Sequence, residues 1–551
     1  MTRLDDGSGG APFDWQRWEP EVLARAARCG RTLLLLIGDP ANPGARDMAR
    51  QLHADSALAG FVQEHYLPVR VDRHEQPDLD HFCQVAHQLL TREPGGWPLL
   101  LCVDPDSRLP WFSGGYFPAQ AAGGLPALGT VLHKAAQFAR EQARLRQSQD
   151  AMLREALHHV EGAGPAAVLR LDRLPLDGAR RQLEATTDAL HGGWAGSPRF
   201  AQPQRIDFLL RHWHDSAATP EPDLPALYLA SLALTRMAGS GLQQDNGGFA
   251  HCALGPGWSA PQGGLLLADN AALLALYTRA WQATGEARFA DVAGGVADFL
   301  LQTLRRDDGG FRVGLGELPQ CQDGRCATAG NALAVEALAS AARALDRDDC
   351  AVAADAAFAR LRREHWLTDR LLAFSVADGG GRVIDASLDD HAALIHASLA
   401  LCALRPGRDD LAWAGQLADQ MLARFEDTAR GGFFTGVAGP AAPALRLRRM
   451  ADEPQPGGNA LAASALLQLG SLRQQPRWLQ AAERTVLAAW PALLAQPAQH
   501  TGLLAVLRGL LDPPTLVPLV EGDAAAVTLA RQLRRPYAPR LLVAWLGAGD
   551  V

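Results

Sequence analysis

Two signals recur on one beat between residues 190 and 465. Gly-rich turns start at 192 (GGW), 247 (GGF), 309 (GGF), 379 (GGG) and 431 (GGF), in steps of 55, 62, 70 and 52 residues. Asp- or Asn-led Ala/Leu runs start at 269 (DNAALLALY), 330 (GNALAVEAL), 389 (DDHAALIHA) and 457 (GGNALAASA), in steps of 61, 59 and 68. A period of this length marks an array of supersecondary units. About 60 residues hold two helices of ordinary length plus their turns. The Asp or Asn before each apolar run is a natural helix cap, accepting N–H bonds that the first turn cannot satisfy. Adding DLPALYLASLALTRM (223–237) and GLLAVLRGLL (502–511) brings the set to about six helical hairpins. Six hairpins close into an (α/α)6 toroid with inner helices around a funnel. An open solenoid is the competing arrangement, but it needs polar capping repeats, and the sequence presents none.

The N-terminal part obeys a different rule. TLLLLIGDP (32–40), YLPVRVDRH (66–74) and WPLLLCVDP (97–105) read as strands, and GARDMARQLHADSALAGFVQEH (44–65) reads as helical. Strands alternating with helices predict a sheet with crossovers. Pro98 opens its strand, where a missing N–H is tolerated. The resulting expectation is an α/β domain over 1–125, a polar helical linker over 126–177, the toroid over 178–512 and a small β-α-β appendage over 513–551.

Composition narrows the function classes. The net charge of −8 spread over 551 residues gives no basic field for nucleic acid. The opening MTRLDDGSGG is polar, and Leu33–Ile37 is too short to span a bilayer. The expectation is therefore a cytoplasmic protein without membrane contact. The eight cysteines (Cys29, Cys83, Cys102, Cys252, Cys321, Cys326, Cys350, Cys402) include no Cys-x-x-Cys; Cys321 and Cys326 have four residues between them. That spacing fits no common zinc or redox pattern, so reduced and mostly buried thiols are expected. His158–His159 and His212/His214 lack partners at metal spacing. Neither a metal nor a cofactor is expected.

Several segments together resemble, almost end to end, the spermatogenesis-associated protein 20-like family. They are PFDWQRWEPEVLARA (12–26), VRVDRHEQPDLD (69–80), GGWPLLLCVDPD (95–106), GGYFP (114–118), GGWAGSPRFAQP (192–203), LDDHAALI (388–395) and GGNALAA (457–463). The resemblance implies an α/β thioredoxin-like N-terminal domain followed by an all-α (α/α)6 six-hairpin glycosidase-like toroid. It implies a proline, usually cis, at Pro98 facing a Cys-His-Trp-Cys-His motif. This chain departs from that motif: it reads Asn42-Pro43-Gly44-Ala45-Arg46. A dithiol cycle needs an attacking thiolate and a resolving thiol, and neither Asn42 nor Ala45 supplies one. A second departure lies at 261–271, where the family's Pro-His-Phe-Glu-Lys-Met-Leu-Tyr-Asp-Asn-Ala becomes PQGGLLLADNA.

What chemistry remains is read from polar residues near the starts of the predicted inner helices. Acid/base work on a sugar needs two groups with separated pKa values facing one site. Asp389, Asp390, His391 and Asp269 are the catalytic candidates. Arg199, Trp194, Trp258 and Asn270 are the ligand-binding candidates, with the tryptophans as stacking platforms. Each has a structural alternative: caps for the aspartates, loop anchoring for Arg199, core packing for the tryptophans. The sequence leaves three functions open. One is a protein without thiol-redox activity that binds a small polar, sugar-like ligand or a protein. The second is a carbohydrate epimerase or hydrolase, and the third is a structural partner in a complex.

Overall fold

The structure is a computed structural model that describes residues 13–162, 170–318, 322–406 and 410–546. Cys321, the last residues of the expected appendage and part of the expected linker lie outside them. The chain divides into two compact units. One comprises Met1–Ala163, Leu318–Gln322 and Thr435–Leu447; the other comprises Gly164–Glu317, Asp323–Phe434 and Arg448–Val551.

In the first unit, α1 (Pro20–Cys29) leads into β1 (Thr32–Gly38), α2 (Pro43–Ala54), α3 (Ser56–His65), β2 (Tyr66–Asp72), α4 (Pro77–Thr91), β3 (Leu99–Val103), β4 (Pro110–Gly114), α5 (Leu128–Glu141) and α6 (Ala143–Val160). The sheet order is β2-β1-β3-β4, with β1 parallel to β2 and antiparallel to β3. The Leu-rich β1 is buried throughout, as a central strand covered on both faces must be. Alternation sends Leu33, Leu35 and Ile37 into one apolar layer, with Val22, Phe82 and Leu157. Leu34 and Leu36 enter the opposite layer, with Met48, Val62 and Leu132. The helical stretch expected over 44–65 is two helices. Asp55 breaks it, because its carboxylate accepts the Ala57 and Leu58 N–H groups and caps α3. The segment 435–447 adds Leu447 to the first layer, and Ala441 accepts the Trp18 indole N–H.

The second unit begins with α7 (Leu174–Thr186), α8 (Pro203–Ser216), α9 (Leu224–Ala238), α10 (Leu267–Thr284) and α11 (Ala287–Phe299, continued by a π turn to Leu304). It continues with α12 (Thr328–Leu345), α13 (Asp348–Glu364), α14 (Leu388–Leu404), α15 (Asp410–Phe425), α16 (Gly458–Arg473), α17 (Pro476–Ala495) and α18 (Thr501–Leu511). Helix α8 packs on α10, α10 on α12, α12 on α14, α14 on α16, α16 on α18, and α18 returns to α8. The six inner helices therefore form a closed ring, and α7, α9, α11, α13, α15 and α17 lie outside it. The inner helices are Ala/Leu-rich because they are enclosed: α14 buries residues around most of its circumference. After the ring, strands Thr515–Val520 and Leu541–Leu546 pair in parallel around α19 (Ala524–Gln532).

Two expectations change. The Leu-rich 223–237 is an outer helix, and the sixth inner helix is 203–216, which lacks an Asp- or Asn-led apolar run. The GGG at 379–381 is not a member of the turn series; it lies in a later loop, where Gly379 N–H donates to Ser375. The matching position after α13 is the Trp366–Leu371 ladder, which turns through Thr368 at φ 50° without a glycine pair.

The repeated turn and the repeated run are one device. Asn270 accepts the Phe249 N–H (2.7 Å) and donates to the Phe249 carbonyl (3.0 Å) and to Leu266 (2.9 Å). Asn331 does the same with Phe311 and Ala327, and Asn459 with Phe433 and Arg449. All three amides are fully buried. The turn needs glycine ahead of the aromatic: Gly247 has φ 86°, and a Cβ there would lie 2.4 Å from the Gly295 carbonyl.

Candidate functional site

In the first unit, the positions that the motif comparison singled out are filled by a helix cap. The Asn42 carbonyl oxygen accepts the Ala45 N–H (2.8 Å) at the start of α2, and its amide donates to the Trp97 carbonyl (3.3 Å). Ala45 is buried, and the Trp97–Pro98 peptide is cis. Gly44 faces this proline, since a Cβ on it would lie 2.8 Å from Pro98 Cδ. Arg73 stacks over Trp97 at 4.2 Å and pairs with Asp39 at 2.6 Å. Burial opposes the Asp39 charge, but Arg73 and His74 outweigh it and hold the carboxyl below its usual range. Burial pushes the Cys83 and Cys102 thiols upward, away from the reactive thiolate. Cys29, Cys83, Cys102, Cys252, Cys326 and Cys350 form no disulfide.

In the second unit, the N-terminal ends of the inner helices carry the remaining candidates. Asp269 sits inside the first turn of α10 and not at its cap. Its carboxylate meets His251 Nδ1 at 2.6 Å and accepts the Gln455 amide at 2.7 Å. Asp389 is paired with Arg449, and its Oδ1 lies against Gly458, where a Cβ would come within 2.2 Å. Asp390, one residue on, closes a capping box: it accepts the Ser387 N–H and hydroxyl, while Ser387 caps α14. Its second oxygen accepts the Ala329 N–H and ties α14 to α12. Burial raises the Asp390 carboxyl to about 6.

His391 occupies the helix position that asparagine fills in α10, α12 and α16. Its Nδ1 lies 2.8 Å from the Ser387 carbonyl, matching the bond that Asn270 makes to Leu266 four residues back. The imidazole is fully buried, which lowers its pKa to about 4. The Gln420 side chain stands against the imidazole and partly offsets the effect of burial. Asp389 and His391 share no described hydrogen bond.

The ligand-binding candidates are held by their neighbours. Arg199 is buried and donates to Asp188 at 2.6 Å and to the Gly192 carbonyl. That hydrogen bond, helped against burial by the His191 and Leu190 N–H groups, holds the Asp188 carboxyl well below the usual range. Trp258, 1% exposed, donates to the His191 carbonyl and lies under the Arg199 guanidinium. Trp194 is buried beneath Arg205. Asn270 serves the Phe249 turn.

Sequence reasoning missed the segment that joins these groups. Residues 449–455 run across the helix starts. Arg449 reaches Asp389, Gln455 reaches Asp269, the Glu453 carbonyl accepts the Gln204 amide of α8, and Asp452 accepts from Thr501 and Gly502 of α18. With the Arg449 carbonyl accepting from Asn459 of α16, this strap touches five of the six inner helices. Its only advance signal was polarity without a period. His251 was findable, because it follows the Gly-Gly-Phe turn by two residues. Among the described residues no cluster of His, Cys, Asp and Glu could hold a metal, and no helix is long and apolar enough to cross a membrane.

A four-stranded α/β unit with a cis-proline ahead of β3, and a closed ring of helical hairpins, define a thioredoxin-like and α/α-ring protein class. Residues 8–158 match the family Thioredox_DsbH, described as a protein of unknown function, DUF255. Over part of its length the chain is similar to spermatogenesis-associated protein 20. It is 28% identical over 305 residues to spermatogenesis-associated protein 20 of Mus musculus, covering 54% of this chain and 38% of that protein. It is 27% identical over 315 residues to the Homo sapiens protein, with the same coverage. The match thus spans about two fifths of those relatives' length. Similar solved structures include cellobiose 2-epimerase from Spirochaeta thermophila (TM-score 0.48, 15% identity, 65% of this chain and 99% of that one). Another is unsaturated glucuronyl hydrolase from Bacillus sp. GL1 (TM-score 0.45, 15% identity, 62% and 95%).

Proposed function

We propose that this chain performs no thiol–disulfide chemistry and works as a binding protein for a small polar ligand at the ring's strapped end. The observation that carries the first half is the Asn42 cap. Both motif positions are committed to holding α2 against Trp97, and Cys83 and Cys102 are buried, protonated thiols. The second half rests on the polar groups gathered by the strap, namely Asp269, His251, Gln455, Asp389 and Arg449. They offer donors and acceptors suited to hydroxyl groups, and a sugar-like ligand is the class that the family resemblance adds. Insulin reduction driven by dithiothreitol tests the redox half: the chain gives the uncatalysed rate, and turnover at a thioredoxin's rate refutes the proposal.

A second reading has one specific observation in its favour. The His251–Asp269 contact is a short, half-buried pair able to orient an imidazole for proton transfer. On that reading the chain is a carbohydrate epimerase or hydrolase, with Asp269 and His251 at its centre. Mass-spectrometric screening of sugars and N-acyl sugars separates the two. Turnover abolished by Asp269→Asn favours the enzyme; binding without turnover favours the binding protein.

A further inference from the structure

The ring's opposite end holds a partly open cavity. A cavity of about 290 Å³ lies among the last turns of all six inner helices, and residues 533–543 roof it. It sits at the low end of small-ligand cavities. Its lining is unusually cationic for an interior: Arg211, Arg279, Arg343, Arg508 and Arg540 against Glu336 and Asp512.

The charge ledger leaves a surplus. Arg211 and Arg279 share Asp207, at 2.6 and 3.2 Å. Glu336 lies 3.9 Å from Arg279, and Asp512 is taken by Arg173. Arg508, 4% exposed, pairs with Asp215 through one terminal nitrogen; its Nε and other terminal nitrogen make no hydrogen bond among the described residues, and neither do the Asp215 oxygens. Arg343 pairs with no described carboxylate, and its buried Nε also lacks an acceptor. The Tyr537 hydroxyl in the roof is unpartnered as well. Buried guanidinium donors without acceptors are costly, and a planar or tetrahedral oxyanion is the partner their fork fits.

We infer that this cavity binds a small oxyanion, a phosphate- or carboxylate-bearing molecule of a few carbons, held by Arg343 and Arg508 with Tyr537 from the roof and Arg540 at the rim. The inference goes beyond the proposed function and concerns the other end of the ring, so either can fail alone. One rival is physical: cations at helix C-termini are favourable simply by offsetting the macrodipole. It makes the arginines structural and needs no ligand.

The test is calorimetry and thermal melting of the full chain with sodium phosphate or malonate. Sodium chloride at matched ionic strength and glucose serve as controls. Phosphate or malonate should bind with a Kd of about 1 mM or tighter and raise the melting temperature above the chloride control. The stronger of the two distinguishes a phosphoryl from a carboxylate ligand. Arg343→Gln should weaken binding at least tenfold while leaving the free protein's melting temperature unchanged or higher. Absence of binding by both anions, or equal affinity in wild type and Arg343→Gln, overturns the inference. So does a fall in the free variant's melting temperature with no anion effect, which is the macrodipole outcome. Should Arg343→Gln not fold, Arg540→Gln at the exposed rim carries the test: several-fold weaker binding supports the site, and unchanged affinity overturns it.

Discussion

Replacing Asn331 by alanine strikes the device that joins each turn to the next inner helix. Three hydrogen bonds go: from the Phe311 N–H (2.7 Å), to the Phe311 carbonyl (2.9 Å) and to the Ala327 carbonyl (2.9 Å). The Ala327 carbonyl keeps its helical bond from the Asn331 N–H, so two groups are orphaned and not three. Both belong to a fully buried residue. An unsatisfied buried group costs about 1–3 kcal/mol, so the substitution should cost roughly 3 kcal/mol, equivalent to about 100-fold in an opening equilibrium. Asn331→Asp should cost more than alanine, because it also aims carboxylate oxygens at two carbonyls. Native-state hydrogen exchange at the Phe311 amide reads this directly, and urea unfolding checks the total. A loss below about 1 kcal/mol by alanine, or an aspartate milder than alanine, refutes the account of the clasp.

Other consequences follow from the same geometry. His391→Asn should fold and retain any ligand binding, since asparagine fills this position in three sister helices. The buried imidazole is neutral with its pKa lowered to about 4, while an unfolded histidine titrates near 6.5, so wild type loses stability as pH falls through that window. The variant's advantage should therefore grow from about pH 6.5 toward 4, and denaturant midpoints at pH 7.5 and 4.5 measure it. Asp390 has the opposite sign: its carboxyl is raised to about 6, so its unfavourable contribution sets in as pH rises from the unfolded value near 3.9 through 6. Asn42→Ala should destabilise the first unit by about 1 kcal/mol through loss of the α2 cap, detectable by thermal melting.

The sequence made the beat of the ring legible because enclosed inner helices must be apolar on most sides and the turns need glycine. It made the α/β unit legible because β1 is an unbroken Leu run bounded by a helix and a loop. It hid α8, whose PQRIDFLLRHW start begins with proline and lacks the Asn clasp. It also misplaced GGG 379–381, since the true turn after α13 uses Thr368 in a left-handed conformation without a glycine pair. At the site, residue types suggested chemistry where the fold uses them for fastening. Asp390 completes a cap, His391 stands in an asparagine's register, and Arg199 secures Asp188. The arginine surplus was invisible in one dimension, because Arg343, Arg508 and Arg540 come together only when the ring closes.

The central claim is that the thioredoxin-like unit has no dithiol to cycle. Alkylation of the native protein after equilibration in glutathione buffers from about −300 to −150 mV, read by peptide mass spectrometry, tests it most directly. Cys29, Cys83 and Cys102 should stay free of one another at every potential, with a disulfide forming only when Asn42→Cys and Ala45→Cys are introduced together. A reversible disulfide between any two of those three cysteines in the unaltered chain would contradict the account.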